Sequence, residues 1–275
     1  MKCITIRLRK RMLLIPVGVV AAVALAIGIG SHLKGQKTQY CNFPDGYGEH
    51  IETTAPSDAI GTGQKIAYLT FDDGPSDETE KILDCLKEKN AKATFFVLGT
   101  ELDKRPDLYR RIVDEGHVLG LHSFSHEYKS IYQSPESFFQ DLNMLKEPLE
   151  AIAGQPISAY RFPGGSSNTV HRKFSNVSNF MDTVIEQLTA QGIQYFDWTV
   201  SADDSVGSKK STDYLVNKVV KESLEQETPV ILMHDAPGHD TTAAAVPQII
   251  DQLTAQGYTF QSLSESTPCH HQRYN

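Results

Sequence analysis

Cysteine is scarce in this chain of 275 residues: there are four, Cys3, Cys41, Cys85 and Cys269. That is too few for a fold stapled by disulfides, and the core must come from apolar packing. No Gly-rich phosphate loop follows any strand-like run, which argues against the common nucleotide-binding architectures. Acidic residues are missing from positions 1–35, where six basic residues stand. Basic residues are in deficit everywhere else, with 20 against 34 acidic and a net charge of −14, so nucleic acid is not an expected partner of the main body. Tryptophan occurs once, at Trp198. Apolar residues make up 40% and charged residues 22%, ordinary for a globular domain with ample material for a core.

What is present begins with a nineteen-residue uncharged run, Met12 to Gly30, directly after the basic segment 1–11. This pattern predicts a single-pass signal anchor with a cytoplasmic N-terminus and the body outside the cell membrane. The alternative is a cleaved signal peptide, with Ala22-Val23-Ala24 or Ala24-Leu25-Ala26 as the small-residue site, which would release the body as a secreted protein. Residues 31–63 read as an extracellular spacer and 263–275 as a C-terminal tail, expected to be disordered from Pro268 onward with His270 and His271. Cys41 and Cys269 flank the body and are a candidate bridge, whereas Cys85 reads as a small buried hydrophobe.

Between residues 64 and 262 strand-like and helix-like segments alternate about seven times. Ile66-Ala67-Tyr68-Leu69-Thr70-Phe71 is a buried strand that ends in Asp72-Asp73-Gly74-Pro75. Further strands are expected at 93–98, 118–121, before 160–162, at 193–200, 229–233 and 258–260. Helices are expected at 76–90, 106–115, 135–153, 180–191, 212–226 and 242–256. Such alternation implies parallel strands with helices packed outside, and an incomplete or distorted β/α barrel is favoured over a doubly wound sheet.

Parallel β/α folds assemble their sites at the C-terminal ends of strands. Those ends carry Asp72 and Asp73, then His122-Ser123-Phe124-Ser125-His126, Arg161-Phe162-Pro163-Gly164-Gly165, Asp197-Trp198 and His234-Asp235. Two imidazoles four residues apart reach one point if the segment turns helically, and a carboxylate completes a three-ligand metal site with water in the open positions. Imidazole with one carboxylate suits zinc over magnesium or calcium. His234 opposite such a metal suits a general acid. Adjacent strand residues face opposite ways, so Asp72 and Asp73 have different tasks.

Taken together, Thr70-Phe71-Asp72-Asp73-Gly74, the His122–His126 segment, Arg161-Phe162-Pro163-Gly164-Gly165 and Leu232-Met233-His234 resemble the ordered motifs of the NodB-homology polysaccharide deacetylases, carbohydrate esterase family 4. The resemblance covers residues 64–262. It implies a distorted (β/α)7 barrel that removes acetyl groups, here from N-acetylglucosamine of cell-wall peptidoglycan, an acetylated glycan polymer reached from the membrane. The alternatives are another acetylated polysaccharide (exopolysaccharide, chitin or xylan) or a silent carbohydrate-binding module. It further implies Asp73, His122 and His126 as ligands of Zn2+, with Co2+ or another divalent transition metal as the substitute. Asp72 becomes the base, Arg161 its partner, and His234 the acid. A backbone N–H at Gly164 or Gly165, after Pro163, is expected to hold the oxyanion. The chain departs from the family in having Pro163-Gly164-Gly165 where many members have Pro-Tyr, so that an aromatic wall is missing, and in its early Asp197-Trp198. Asp204 and Asp197 therefore both remain candidates to support His234. Trp198 is a candidate sugar platform and Leu232 a candidate lining of the acetyl pocket.

Overall fold

The computed structural model describes residues 64–268 and 270–272. The expected anchor at 12–30, the spacer at 31–63 and the Cys41–Cys269 bridge lie outside the described residues. Among those described, no helix is long and apolar enough to cross a membrane. The apolar run at the start of the described chain becomes strand β1 (Lys65–Asp72), buried at every position after its first. A strand covered on both faces has no need of polar alternation, and none is present. It pairs in parallel with β2 (Ala93–Leu98) on one side and β7 (Val230–His234) on the other. Its first three residues pair with β8 (Tyr258–Phe260).

Beyond β2 lie β3 (Val118–Ser123), β4 (Ala159–Tyr160) and β5 (Gln194–Tyr195), while β6 (Val200–Ser201) lies beyond β7. The order is β5-β4-β3-β2-β1-β7-β6, with all ladders parallel. This is the parallel α/β architecture expected for an incomplete (β/α)7 barrel. The single strand expected over 193–200 is instead two short strands at opposite ends of that order. Phe196 to Thr199 bridges them: the Phe196 N–H donates to Tyr160 O at 2.8 Å and the Thr199 N–H to Val230 O at 2.9 Å. These few residues cross the seam of the curled sheet, so they cannot stay in one ladder.

The helices are α1 (Asp77–Glu88), α2 (Pro106–Asp114), α3 (Tyr128–Ile131), α4 (Pro135–Ala153), α5 (Phe180–Ala190), α6 (Thr212–Ser223) and α7 (Asp240–Ala255). Their starts have local causes. Ser76 accepts from the Glu78 N–H at 3.0 Å, and Thr79 Oγ1 accepts from the Ser76 N–H at 2.7 Å, a capping box that starts α1 just past the Asp-Asp pair. Ser134 caps α4 in the same way, and Gly154 ends it in the left-handed conformation at φ 68°. Cys85 on α1 is a free, buried thiol, pushed up to about 11 by burial.

The described part of the C-terminal tail packs on the barrel, including His271 and Gln272 beyond Pro268, where disorder was expected. Leu263 and Thr267 are buried, and the Leu263 N–H donates to Thr94 Oγ1 at 2.9 Å. His271 stacks on Tyr195 with ring centroids 3.8 Å apart. The core runs through the centre of β1, where Leu69 and Phe71 are fully buried. Leu69→Ala is expected to lower the unfolding free energy by about 2–5 kcal/mol in chemical denaturation, through lost apolar contact plus a cavity between β2 and β7.

Candidate active site

The register of the sheet does the first work of assembly. Asp72 at the end of β1 is the Cα partner of His234 at the end of β7. The chain then leaves the ladder at Asp73, which sits in the left-handed region at φ 72° and so departs from strand alternation. Asp tolerates this conformation better than most residues, and the cost is of order 1–3 kcal/mol. Gly74 follows because a Cβ there would stand 2.2 Å from the buried Asp235 carboxylate.

Asp73 meets both histidines. Its Oδ1 lies 3.3 Å from His122 Nε2 and 3.3 Å from His126 Nε2. One ligand atom from each of the three residues lies within 4.8 Å of the others. His122 Nδ1 is 2.7 Å from Arg161 O, a carbonyl that can only accept, so that nitrogen carries a proton and Nε2 is the one that faces Asp73. Asp73 Oδ1 is buried without a hydrogen-bond partner. Burial by itself would raise the Asp73 pKa, yet the imidazoles of His122 and His126 hold it well below the carboxylate range. Burial disfavours a charged His122, and the Asp73 and Asp72 carboxylates overcome that and raise it. His126 is shifted down, by burial first and by His122. An orphaned anionic oxygen between two imidazole nitrogens is a site that asks for a cation, and the donor set fits zinc.

The segment between the two histidines is not helical: His122 is the last residue but one of β3, and His126 lies in a loop at φ 55°. A residue without any motif signal shapes that loop. Asp141 on α4 accepts four hydrogen bonds, from Ser123 Oγ at 2.7 Å, the Phe124 N–H at 2.9 Å, the Ser125 N–H at 3.0 Å and Ser125 Oγ at 2.7 Å. Only its place seven residues into an amphipathic helix, where an acid faces inward between Phe138 and Leu142, could have drawn attention to it.

Asp72 is buried and bound through Oδ1 by Arg161 Nη1 at 2.9 Å. Its Oδ2 has no hydrogen-bond partner among the described residues and is not sealed from solvent. Arg161 is itself fully buried, and its remaining donors go to Thr70 Oγ1, Phe196 O and Asp197 O. Its guanidinium lies 4.3 Å from the ring centroid of Phe96.

On the other flank, Asp204 accepts from the His234 ring nitrogen Nδ1 at 2.8 Å, from the His234 backbone N–H at 2.8 Å and from Thr242 Oγ1 at 2.9 Å. Burial opposes a charged His234, but Asp204, with Asp72 and Asp73 farther off, pushes it up to about 9. Asp204 is lowered in turn: burial works against its charge, and His234 prevails. Asp197, the other candidate for this support, is placed elsewhere. Its carboxylate accepts from the Ser166 N–H at 2.9 Å, Ser166 Oγ at 2.5 Å and the Gln272 N–H at 2.8 Å, tying the Pro163–Ser166 turn to the C-terminal segment.

In that turn the Gly165 N–H donates to Phe162 O at 2.8 Å, while the Gly164 N–H has no partner among the described residues. Trp198 packs on Gly165, where a Cβ would meet its ring at 2.9 Å. Leu232 is buried on β7, paired in register with Thr70 and Ser201. His239, unmarked in the sequence, stands beside His234 with ring centroids 5.6 Å apart.

Asp72 with an unpartnered oxygen, an Asp-His-His cluster that could hold a metal ion and the Asp204-backed imidazole of His234 thus stand at strand ends of one parallel sheet. Residues 59–198 match the family described as Polysaccharide deacetylase. The chain is 33% identical over 220 residues to a peptidoglycan-N-acetylglucosamine deacetylase of Bacillus cereus, covering 79% of this chain and 76% of that protein. Among solved structures it is similar to the catalytic domain of peptidoglycan N-acetylglucosamine deacetylase from Eubacterium rectale, with TM-score 0.74, 39% identity, and coverage of 80% of this chain and 98% of that one. It is also similar to a Streptococcus mutans CE4 esterase, with TM-score 0.64, 32% identity, and coverage of 73% and 87%. The chain belongs to the polysaccharide deacetylase family.

Asp141→Ala is expected to weaken the binding of added zinc about ten- to a hundred-fold without altering Asp73, His122 or His126, as removal of outer supports does in other metal sites. Competitive titration against a chromogenic chelator measures this, and wild-type affinity in the variant would contradict the assignment.

Proposed function

We propose that this protein is a zinc-dependent deacetylase that removes acetyl groups from N-acetylglucosamine residues of peptidoglycan. The observation that carries the reading is the orphaned Asp73 oxygen between two imidazoles, with the cross-strand neighbours Asp72 and His234 beside it. The relatives named above supply the substrate class. Asp73, His122 and His126 hold the metal, with cobalt as the substitute. Bound there, it supplies a Lewis acid for the acetyl carbonyl, which an amide needs because it is a poor electrophile.

The protein's own groups do the rest. Asp72 takes the proton of the attacking water through its free Oδ2, while Arg161 fixes its other oxygen. The Gly164 N–H donates to the carbonyl oxygen as negative charge grows there. With Nδ1–H committed to Asp204, His234 delivers the proton on Nε2 to the departing amine, and Asp204 stabilises the imidazolium before transfer. The products are acetate and a glucosamine with a free amino group. The run at 12–30 would hold the domain at the outer face of the cell membrane, next to the wall polymer, or export it if cleaved.

Acetate release from purified peptidoglycan, chitin oligomers and acetylated xylan, with zinc added or chelated, tests the reading. We expect zinc-dependent release with peptidoglycan as the best substrate. A folded, zinc-loaded protein that releases acetate from none of them overturns it. Asp72→Asn should keep the metal and lose about 10²–10⁴-fold in kcat, the usual worth of a positioned base, and normal turnover would remove Asp72 from that role.

The pH profile tests the acid. His234 must be protonated to act, so activity falls as pH rises through its pKa, which Asp204 holds up. Asp204→Asn removes that charge and should move the alkaline limb of kcat/KM to lower pH. An unmoved limb would separate that limb from His234.

A further inference from the structure

Tyr128 opens α3, two residues after His126. Its ring stands edge-on to the His126 imidazole, with centroids 5.3 Å apart and planes at 86°, and on the other side it meets Tyr132 at 5.8 Å. The two tyrosines differ in what their hydroxyls do. Tyr132 is fully buried, donates to Pro163 O at 2.8 Å and accepts from Asn168 Nδ2 at 3.1 Å, so its polar tip is used up inside the protein. Tyr128 is half-buried, and no hydrogen bond within the described residues reaches its hydroxyl. A phenolic hydroxyl without a partner is a hydrogen-bond donor and acceptor.

Across from it lies Gly164. A Cβ there would stand 3.3 Å from the Tyr128 hydroxyl, and φ 80° disfavours any side chain at that position. At Gly164 the turn therefore offers only backbone opposite the Tyr128 hydroxyl, and the Tyr128 ring stands against His126 at the candidate site. An amphipathic ring with one polar tip, held rigidly beside the reacting centre, combines the flat apolar face and the single directed hydrogen bond that a polar ligand in a cleft needs.

We infer that Tyr128 is a substrate-positioning residue whose hydroxyl hydrogen-bonds a hydroxyl of the sugar carrying the acetyl group held at Asp73, His122 and His126. The inference rests on the deacetylase reading. Tyr128 acts before chemistry, by fixing the sugar so that its acetyl carbonyl faces the Gly164 N–H. It contributes to ground state and transition state alike, and its loss belongs in KM.

The test uses the full chain, wild type and Tyr128→Phe, with a tetramer of N-acetylglucosamine. Tyr128→Phe should raise KM about three- to ten-fold, the worth of one hydrogen bond between neutral groups, with kcat within about two-fold and zinc stoichiometry unchanged. The Kd of the same tetramer for the metal-free protein, followed by NMR titration, should rise by a similar factor. Monodeoxy tetramers provide a second arm: removing one particular hydroxyl should weaken wild-type binding by that factor and leave Tyr128→Phe unaffected. An unchanged KM and Kd, a loss confined to kcat, or deoxy effects that all add to that of Tyr128→Phe would each overturn the inference. An active wild type with an unaltered variant sinks this inference alone. A zinc-loaded wild type that deacetylates no glycan sinks the deacetylase reading and this inference with it.

Discussion

Two carboxylates stand side by side at the end of one buried strand, and the rest of the site answers to that. Asp72 closes β1 and Asp73 follows it, where neighbouring strands and helices exclude much of the water. Like charges at that spacing in a low-dielectric setting are costly unless each is compensated. Asp72 is compensated by a fully buried guanidinium and Asp73 by two imidazoles that leave room for a cation. Because Asp73 leaves the ladder in a left-handed conformation, the two charges diverge and acquire separate partners. One is thereby suited to taking a proton and the other to holding a metal.

A second tier of acids makes this arrangement rigid. Asp141, Asp204 and Asp197 each have both carboxylate oxygens engaged, so none is left to work on a substrate. Asp141 shapes the histidine loop, Asp204 orients His234, and Asp197 fastens the turn that presents the Gly164 N–H. Arg161 joins the tiers, since it binds Asp72, Thr70 and the carbonyls of Phe196 and Asp197 at once. The seam of the barrel is thus tied to Asp72. Hydrogen bonds of this kind hold catalytic groups near their working positions before substrate arrives, which is where much of the power of such sites originates.

Legibility followed the range of the interactions. The bounds of α4, Pro135 to Ala153, were readable because Ser134, Pro135 and Gly154 act within a few residues of themselves. The start of α1 after Ser76 was readable for the same reason. Residues 193–200 read as one strand because the β-branched and aromatic pattern is continuous, whereas closure of the barrel forces that segment across the seam. The two imidazoles of the His-x3-His pair do converge on Asp73, but through a loop held by Asp141 and not through a helical turn. The tail looked disordered because its residues are polar, yet in its described part it is held by Asp197 and Tyr195, contacts 75 and 76 residues away along the chain.

The sequence by itself determined which side chains stand at strand ends, the alternation that makes the strands parallel, and the family whose motifs those strand ends resemble. Periodicity, caps and residue chemistry act locally and survive in a one-dimensional reading. Only the tertiary structure decided that Asp204 and not Asp197 backs His234, that the Gly165 N–H is spent inside its own turn while the Gly164 N–H is not, and that Tyr128 reaches the edge of the site. Each of these depends on which strand ends come into register and how the seam closes. Such geometry arises from packing residues tens of positions apart, and no local pattern carries it.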